Sequence, residues 1–246
     1  MDIKKILVSQ PYPTSEKSPY FDIQRKFGVE MTFKPLIRIE TLSTKEFRAQ
    51  KVSIANYTAI VFTSKTAIDH FFKLADGLRA KPGEEIQYFC QTEDVALYLQ
   101  KFIIFRKRKV HFAKTRKIED LALLMKKHNT EKFVMPVAEV HQEEIPAFTK
   151  AKLKVTQAVM YRTVSVEVTP EEIASYDMLV FFSPSGIQSL YENIPDYEQG
   201  EQHIGIFGPL TAKAAEEHGL RIDAKGPTPE QPSMASILLK YLSDQK

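Results

Sequence analysis

Two segments of this chain carry the same succession of residue types. Residues 57–68 begin with a tyrosine and continue through an apolar run and a serine-bearing loop into an amphipathic segment, and residues 176–187 do the same. Ser64 and Ser183 are 119 positions apart, as are the two tyrosines. This succession is typical of a strand–loop–helix unit. The repeat therefore limits the chain to folds that contain at least two copies of that unit.

The correspondence extends beyond this unit in the same order. Residues 86–96 match residues 204–214 at an offset of 118, and the helical segments 118–124 and 233–239 follow them. Each copy thus has the order strand, loop, helix, strand, loop, helix, which is the sequence form of βαβ units on a parallel sheet. We expect an α/β fold of two similar domains, each a parallel sheet flanked by helices, joined by a two-stranded β hinge that closes over a cleft.

The two copies differ in extent. The first ends with two further strand segments, near residues 133–136 and 155–161, that the second lacks. The N-terminus offers replacements, an apolar strand at residues 6–9 and a helix that ends at Gly28. We therefore predict a discontinuous domain of residues 1–35 and 165–246, an inserted domain of residues 41–160, and hinge strands at residues 36–40 and 161–164.

Composition narrows the possible classes of protein. Hydrophobic residues make up 43% of the 246 residues, enough to bury a core. No run approaches the about 18 apolar residues of a membrane helix. The one cysteine, Cys90, excludes an internal disulfide and a multi-cysteine metal site, and the histidines lack zinc-ligand spacing. We expect a cytoplasmic protein that holds no metal, does not bind membranes and is a monomer.

Positive charge is concentrated in residues 101–117, although the net charge of the chain is only +3. The basic residues of this stretch are Lys101, Arg106, Lys107, Arg108, Lys109, Lys114, Arg116 and Lys117. They are consistent with a solvated edge that Lys and Arg keep from aggregating, or with an anionic partner attracted by the local field. A third interpretation is nucleic-acid binding, but no recognised motif accompanies the run, and we expect no nucleic-acid partner.

Hydroxyl side chains recur directly after the predicted strands. The candidates are Ser9, Ser64, Thr92, Ser183, Ser185, Thr211 and Thr228. Ligands of open α/β sheets bind at the carboxyl ends of the strands, and helix N-termini favour carboxylate or phosphate. Helix capping explains each side chain alone, whereas the whole set predicts an anionic small-molecule ligand. Cys90 ends an apolar strand and is interpreted as a core thiol.

Five segments, in the same order along the chain, resemble those of the uroporphyrinogen-III synthase family. They are residues 62–64, 161–164, 181–186, 208–214 and 227–230. The resemblance spans nearly the whole chain and implies a cofactor-free lyase. Its substrate would be hydroxymethylbilane, a linear tetrapyrrole with acetate and propionate arms. The enzyme would eliminate the terminal hydroxyl as water and close the ring with inversion of ring D, through a spiro intermediate.

The resemblance also implies roles for individual residues. Tyr161 matches the hinge tyrosine of the family, which is proposed to help protonate the departing hydroxyl, and a phenol with a pKa of about 10 stays protonated at neutral pH. The alternative is a tyrosine that packs across a strand ladder. Thr211, Ser183 and Ser185 would bind carboxylates of the substrate. The other expected substrate-binding residues are Ser9, Ser64, Thr92 and Thr228.

Two positions depart from the pattern of the family. Gln10 stands where an arginine is usual, and Glu93 replaces the threonine that Thr211 represents in the second copy. A carboxylate at Glu93 would repel a carboxylate arm of the substrate. The alternative function is therefore a non-catalytic two-domain module that binds a tetrapyrrole or another anionic small molecule.

Overall fold

The chain separates into two units. The computed structural model describes residues 3–140 and 143–245, so Met1, Asp2, His141, Gln142 and Lys246 lie outside the described residues. One unit, called here the discontinuous unit, runs up to Arg38 and resumes at Val164, and the inserted unit contains Ile39–Thr163. The sequence-based limits of 41–160 for the inserted domain fall within this second unit.

Strands and helices alternate along most of the chain. The strands are β1 (Lys5–Val8), β2 (Glu30–Phe33), β3 (Ile37–Thr41), β4 (Ala59–Phe62), β5 (Gln87–Cys90), β6 (Val110–Phe112), β7 (Phe133–Ala138), β8 (Val155–Ser165), β9 (Met178–Phe181), β10 (His203–Phe207) and β11 (Ala224–Gly226). The helices are α1 (Pro19–Phe27), α2 (Thr44–Ala49), α3 (Lys65–Gly77), α4 (Glu93–Tyr98), α5 (Ile118–Lys126), α6 (Pro146–Lys150), α7 (Pro170–Ala174), α8 (Pro184–Asn193), α9 (Pro209–Glu217) and α10 (Met234–Asp244). Short 3-10 helices lie at Ile54–Asn56 and Leu99–Lys101.

The two sheets repeat one strand order. The sheet of the discontinuous unit has the order β11-β10-β9-β1-β2, and its neighbouring strands are parallel. The other sheet has the order β6-β5-β4-β7-β8-β3, with parallel pairing from β6 to β8. In this alignment β1 takes the place of β7, as the N-terminal strand was expected to do. The predicted α/β fold of two similar domains is confirmed.

The apolar runs found in the sequence form the centres of both sheets. Every residue of β4, β7 and β9 is buried, because helices cover both faces of these strands. Each of the four large buried clusters among the described residues draws on one unit only. The inserted unit and the discontinuous unit therefore each have their own hydrophobic core.

Hydroxyl side chains cap the helices that follow the strands. The capping oxygens accept hydrogen bonds from the main-chain N–H three residues later: Ser64 from Ala67 at 3.1 Å, Thr92 from Val95 at 3.3 Å, Ser183 from Gly186 at 3.2 Å and Ser233 from Ser236 at 3.2 Å. Caps are thus confirmed for the candidates Ser64, Thr92 and Ser183, whereas Ser185 and Thr211 lie inside the first turns of α8 and α9. Since the strands are parallel, these caps lie at the carboxyl edge of each sheet.

The chain passes from one unit to the other within β3 and β8, which are neighbours in the six-stranded sheet. Main-chain hydrogen bonds join Leu42 N to Met160 O at 2.9 Å and Val166 N to Leu36 O at 2.8 Å. Strand β8 joins the predicted strand at residues 155–161 to the predicted hinge strand at residues 161–164, and it carries Tyr161 within its second half. Every helix in the described part of the chain is too short or too polar to cross a membrane.

Candidate functional site

The carboxyl edge of the inserted unit contains a cavity of about 670 Å³. Its walls include the residues that follow β4, the second half of β7, the turn before α6, and one side chain from β8. These residues are Thr63, Ser64, Met135, Pro136, Val137, Ala138, Val140, Glu143, Glu144, Ile145, Pro146 and Tyr161. The cavity thus brings together Ser64 and Tyr161, which are distant in the sequence and which the resemblance placed in the site.

Tyr161 is held by contacts on two sides within this unit. Its ring stacks on the His70 ring, with centroids 5.0 Å apart and planes at 20°. Burial raises the pKa of the Tyr161 phenol, and the neighbouring Ser64 hydroxyl acts in the opposite direction. Because the net shift is upward, the phenol keeps its proton through the neutral range and can act as a proton donor.

His70 was not among the candidates from the sequence. It lies on α3, and its Nδ1 is 2.6 Å from Thr41 Oγ1, so one ring face contacts Tyr161 while one ring nitrogen is anchored. Burial and the positive charge of Lys73 lower the pKa of His70, and Asp69 opposes this shift. The ring is therefore held neutral at pH 7, and its hydrogen bond with Thr41 fixes its orientation.

Thr92 and Glu93 follow β5, which is the next strand along this edge. Thr92 follows β5 and its hydroxyl caps α4, while Glu93 is the first residue of that helix and is exposed. A carboxylate in the first turn of a helix is stabilised by the partial positive charge of the N-terminus. Glu93 thus has a local structural explanation, although its charge lies at the edge where an anionic ligand was expected.

In the discontinuous unit, Ser9 and Ser183 come together at the start of α8. A Cβ added to Gly186 would lie 3.6 Å from Ser183 Oγ and 3.9 Å from Ser9 Oγ. Ser185 lies in the first turn of the same helix and is partly exposed. Two hydroxyls and the N-terminus of a helix therefore share one small region, although the Gly186 N–H already donates to Ser183.

Thr211 and Thr228 follow the neighbouring strands of that sheet. Thr228 Oγ1 accepts a hydrogen bond from Gln231 N at 3.1 Å and so stabilises its own turn. Thr211 lies in the first turn of α9, after Gly208, whose φ of +103° favours glycine. Thr211 as a whole is only 2% exposed, so little of it is open to a ligand at this position.

Cys90 and the histidines form no metal site in this part of the structure. Cys90 is fully buried at the end of β5, and burial raises the pKa of its thiol to about 12, which confirms the interpretation as a core thiol. Within residues 3–140 and 143–245, no three His, Cys, Asp or Glu side chains are grouped so that they could hold a metal ion.

The chain has two duplicated α/β units, capping hydroxyls along the carboxyl edge of each sheet, and a phenol in a cavity. These features define a class of two-domain enzymes that act on small molecules. The family model described as "Uroporphyrinogen-III synthase HemD" matches residues 20–237. Because that match covers most of the 246 residues, the chain belongs to the uroporphyrinogen-III synthase family. The family consists of cyclising lyases of haem biosynthesis that act on a tetrapyrrole.

Solved structures of this family have the same fold. The uroporphyrinogen-III synthetase of Helicobacter pylori is 18% identical, with a TM-score of 0.56 over 98% of this chain and 99% of the other. A mutant uroporphyrinogen III synthase of Thermus thermophilus is 16% identical, with a TM-score of 0.50 over 99% and 100%. No curated protein sequence matches the chain.

Proposed function

We propose that this protein cyclises hydroxymethylbilane to uroporphyrinogen III and that Tyr161 protonates the departing hydroxyl. The observation that carries this proposal is the position of the Tyr161 phenol in the wall of the 670 Å³ cavity, beside Ser64 and with a raised pKa. The non-catalytic alternative has no specific observation in its favour, and burial keeps Tyr161 in its protonated form.

In this proposal the Ser64 hydroxyl beside Tyr161 leaves the phenolic proton available. Ser64 Oγ accepts from the N–H of Ala67 and can donate its own proton to the Tyr161 oxygen. The phenolic proton is then free to pass to the substrate hydroxyl as the C–O bond breaks and water leaves. Ring D later loses a proton from its free α-carbon when the macrocycle closes, and this proton restores the phenol.

The acetate and propionate arms are proposed to bind at the helix starts of the two units. In the inserted unit these are the starts of α3 and α4, at Ser64 and Thr92. In the discontinuous unit the same role is proposed for Ser9, Ser183, Ser185, Thr211 and Thr228. A substrate that is held at several points is positioned for one of the many possible ring closures. This is catalysis by orientation.

The proposal further includes a monomer that acts in the cytoplasm. The one cysteine is consistent with a reducing compartment, and hydroxymethylbilane is a small molecule that needs no second chain for its recognition. Light scattering during size-exclusion chromatography measures the mass, and a value close to 28.2 kDa is expected. A value near twice that mass would contradict the monomer.

Purified protein incubated with hydroxymethylbilane tests the function directly. Separation of the oxidised products by chromatography distinguishes the III isomer from the I isomer that forms spontaneously. We expect the III isomer in excess, and only the I isomer in a reaction without protein. Binding of the substrate with formation of the I isomer alone would contradict the proposal and support the non-catalytic module.

A further inference from the structure

Strand β6 divides the basic stretch of residues 101–117 into two groups. Because β6 runs from Val110 to Phe112 parallel to its neighbour β5, residues before it lie at the amino edge of the sheet and residues after it lie at the carboxyl edge. The amino-edge group consists of Lys101, Arg106, Lys107, Arg108 and Lys109, and the carboxyl-edge group consists of Lys114, Arg116 and Lys117. Only the second group lies at the edge where Ser64 and Thr92 are found.

Several cations at the amino edge already have partners. Lys109 is 6% exposed, and its Nζ donates to the Glu84 carbonyl and lies 2.9 Å from Glu85 Oε1. Arg106 pairs with Glu84 at 3.7 Å, and Lys101 lies over the Tyr98 ring at 4.2 Å. These contacts explain a large part of this group as structural charge that serves the fold itself.

The cations at the carboxyl edge are exposed, and within the described ranges none of them forms an ion pair. Their main chain is nevertheless held in place. Gln91 Nε2 donates to the Arg116 carbonyl at 2.8 Å, Lys117 N donates to Thr115 Oγ1 at 3.1 Å, and Thr115 Oγ1 also donates to Asp120. The main chain of this loop is already ordered and carries three unpaired cations. Binding of an anion therefore requires little further ordering of the backbone.

The internal duplication gives the loop a counterpart. It follows β6 and precedes α5, just as residues 227–232 follow β11 and precede α10 in the other unit. Both loops contain a threonine whose hydroxyl accepts a main-chain hydrogen bond at 3.1 Å, Thr115 in one and Thr228 in the other. The two loops thus occupy equivalent places at the carboxyl edges of equivalent sheets.

We propose that Lys114, Arg116 and Lys117 form a carboxylate-binding loop for the acetate and propionate arms of substrate rings remote from the reacting carbon. This proposal rests on the function proposed above. Along the sheet edge, β8 with Tyr161 and β6 with the loop are four strand spacings apart, or roughly 19 Å. A linear tetrapyrrole can span such a distance, so one end can meet Tyr161 while arms on the other rings meet the loop.

The loop also bears on Glu93, where the sequence departs from the pattern of the family. The hydrogen bond from Gln91 to the Arg116 carbonyl places the loop beside the start of α4, where Glu93 is the first helical residue. The three positive charges there counter the negative charges of Glu93 and Asp94, while Asp120, in the first turn of α5, accepts a hydrogen bond from Thr115. At the far side of the edge, Glu143 and Glu144 line the cavity beside Tyr161, so the loop is the more positively charged end of this edge.

The test compares two triple variants that remove the same charge. In the loop variant, Lys114→Gln, Arg116→Gln and Lys117→Gln are combined, and in the control variant Lys101→Gln, Lys107→Gln and Arg108→Gln are combined at the opposite edge. One measurement is the steady-state kinetics of cyclisation. The other is the fluorescence titration of uroporphyrin I, whose acetate and propionate arms match those of the substrate, at several salt concentrations.

For the loop variant we expect KM and the Kd of uroporphyrin I to rise about tenfold, with a weaker salt dependence, since exposed charge pairs contribute modestly and are screened. We expect kcat to change by less than about twofold, because the loop is remote from the reacting carbon. The control variant should match the unaltered protein. Unchanged KM and Kd in the loop variant, or an equal loss in the control variant, would overturn the proposal.

Two further outcomes have a defined meaning. If the unaltered protein yields only the I isomer, the proposed reaction fails, and the uroporphyrin titration still decides whether the loop binds carboxylates. If the loop variant does not fold, the single variants Lys114→Gln, Arg116→Gln and Lys117→Gln replace it, each with an expected rise in Kd of about twofold. Unchanged Kd values in all three single variants would count against the loop.

Discussion

Tyr161 is oriented by side chains that come from separate elements of the inserted unit. Ser64 contacts it from the start of α3, His70 stacks on it from within that helix, and Thr41 holds His70 from β3. The sequence singles out Tyr161 and Ser64 as candidates, because each lies in a recognisable segment. It could not predict His70 or Thr41, since neither lies in a motif and only the packing of α3 against β3 and β8 brings them to the phenol.

Replacing Tyr161 with Phe should reduce kcat about a hundredfold or more, because the variant retains the ring but has no proton to donate. KM should stay within about threefold, since the aromatic contact with His70 is retained. Steady-state cyclisation assays measure both constants. Tyr57→Phe, at the amino edge of β4, is the matched control, and an equal loss in both variants would remove Tyr161 from the mechanism.

Replacing His70 with Phe should make the stability of the protein less dependent on pH between 7.5 and 5. The pKa of His70 is lowered in the folded state by burial and by Lys73, against the effect of Asp69, so the unfolded chain binds the proton more strongly. The stabilising contribution is therefore complete above the unfolded value of about 6.5 and is lost as the pH falls toward the lowered folded value.

Urea unfolding at pH 7.5 and pH 5 measures this difference for the unaltered protein and for His70→Phe. The fall in the free energy of unfolding should be smaller in the variant, and Phe preserves the ring that stacks on Tyr161. His218→Phe removes an exposed histidine and serves as the control. An equal fall in all three proteins would show that His70 is not the group responsible.

At the scale of elements, most strands could be predicted within a residue or two. The apolar runs within residues 57–68 and 176–187 are observed as the strands Ala59–Phe62 and Met178–Phe181, because buried central strands leave an uninterrupted apolar run. Strand β6 could not be located, since Val110–Phe112 is three residues long and lies between basic segments. Without this strand, the sequence shows residues 101–117 as one basic run. It does not reveal that the two parts of the run lie at opposite edges of the sheet.

The hydroxyls at the start of α8 permit a sharp comparison between neighbouring serines. Ser183→Ala should lower the free energy of unfolding by about 1 kcal/mol, because its oxygen accepts the N–H of Gly186. Ser185→Ala should lower it by less than about 0.5 kcal/mol, because Ser185 lies one step inside the helix and is not the N-cap. Urea denaturation of both variants tests this, and equal losses would contradict the assignment of the cap.

At the scale of the molecule, the duplication in the sequence predicted the relation between the two sheets. The second copy lacked two strands, and β1 and β2 fill the places that β7 and β8 occupy in the first. The positions of Ser9 and Ser183 at one helix start follow from this replacement. The burial of Thr211 could not be predicted from the sequence, because its segment shows an N-terminal helix residue but not how closely α9 packs on its sheet.

The inserted unit should fold by itself when residues 39–163 are produced alone. Two of the buried clusters belong to it, and its length is that of an ordinary domain. We expect a circular dichroism spectrum with both helix and strand, and one cooperative unfolding transition in urea. A gradual loss of signal without a transition would show that this core depends on the remainder of the chain.

The buried thiol of Cys90 can report on local opening of the sheet of the inserted unit. Since it is the one cysteine of the chain and is fully buried at the end of β5, a thiol reagent can reach it only when the sheet locally opens. The rate of labelling therefore measures how often this strand separates from its neighbours. Any ligand held at Thr92, two residues further on, would slow labelling in proportion to its occupancy. Binding can therefore be followed from the rate of thiol labelling.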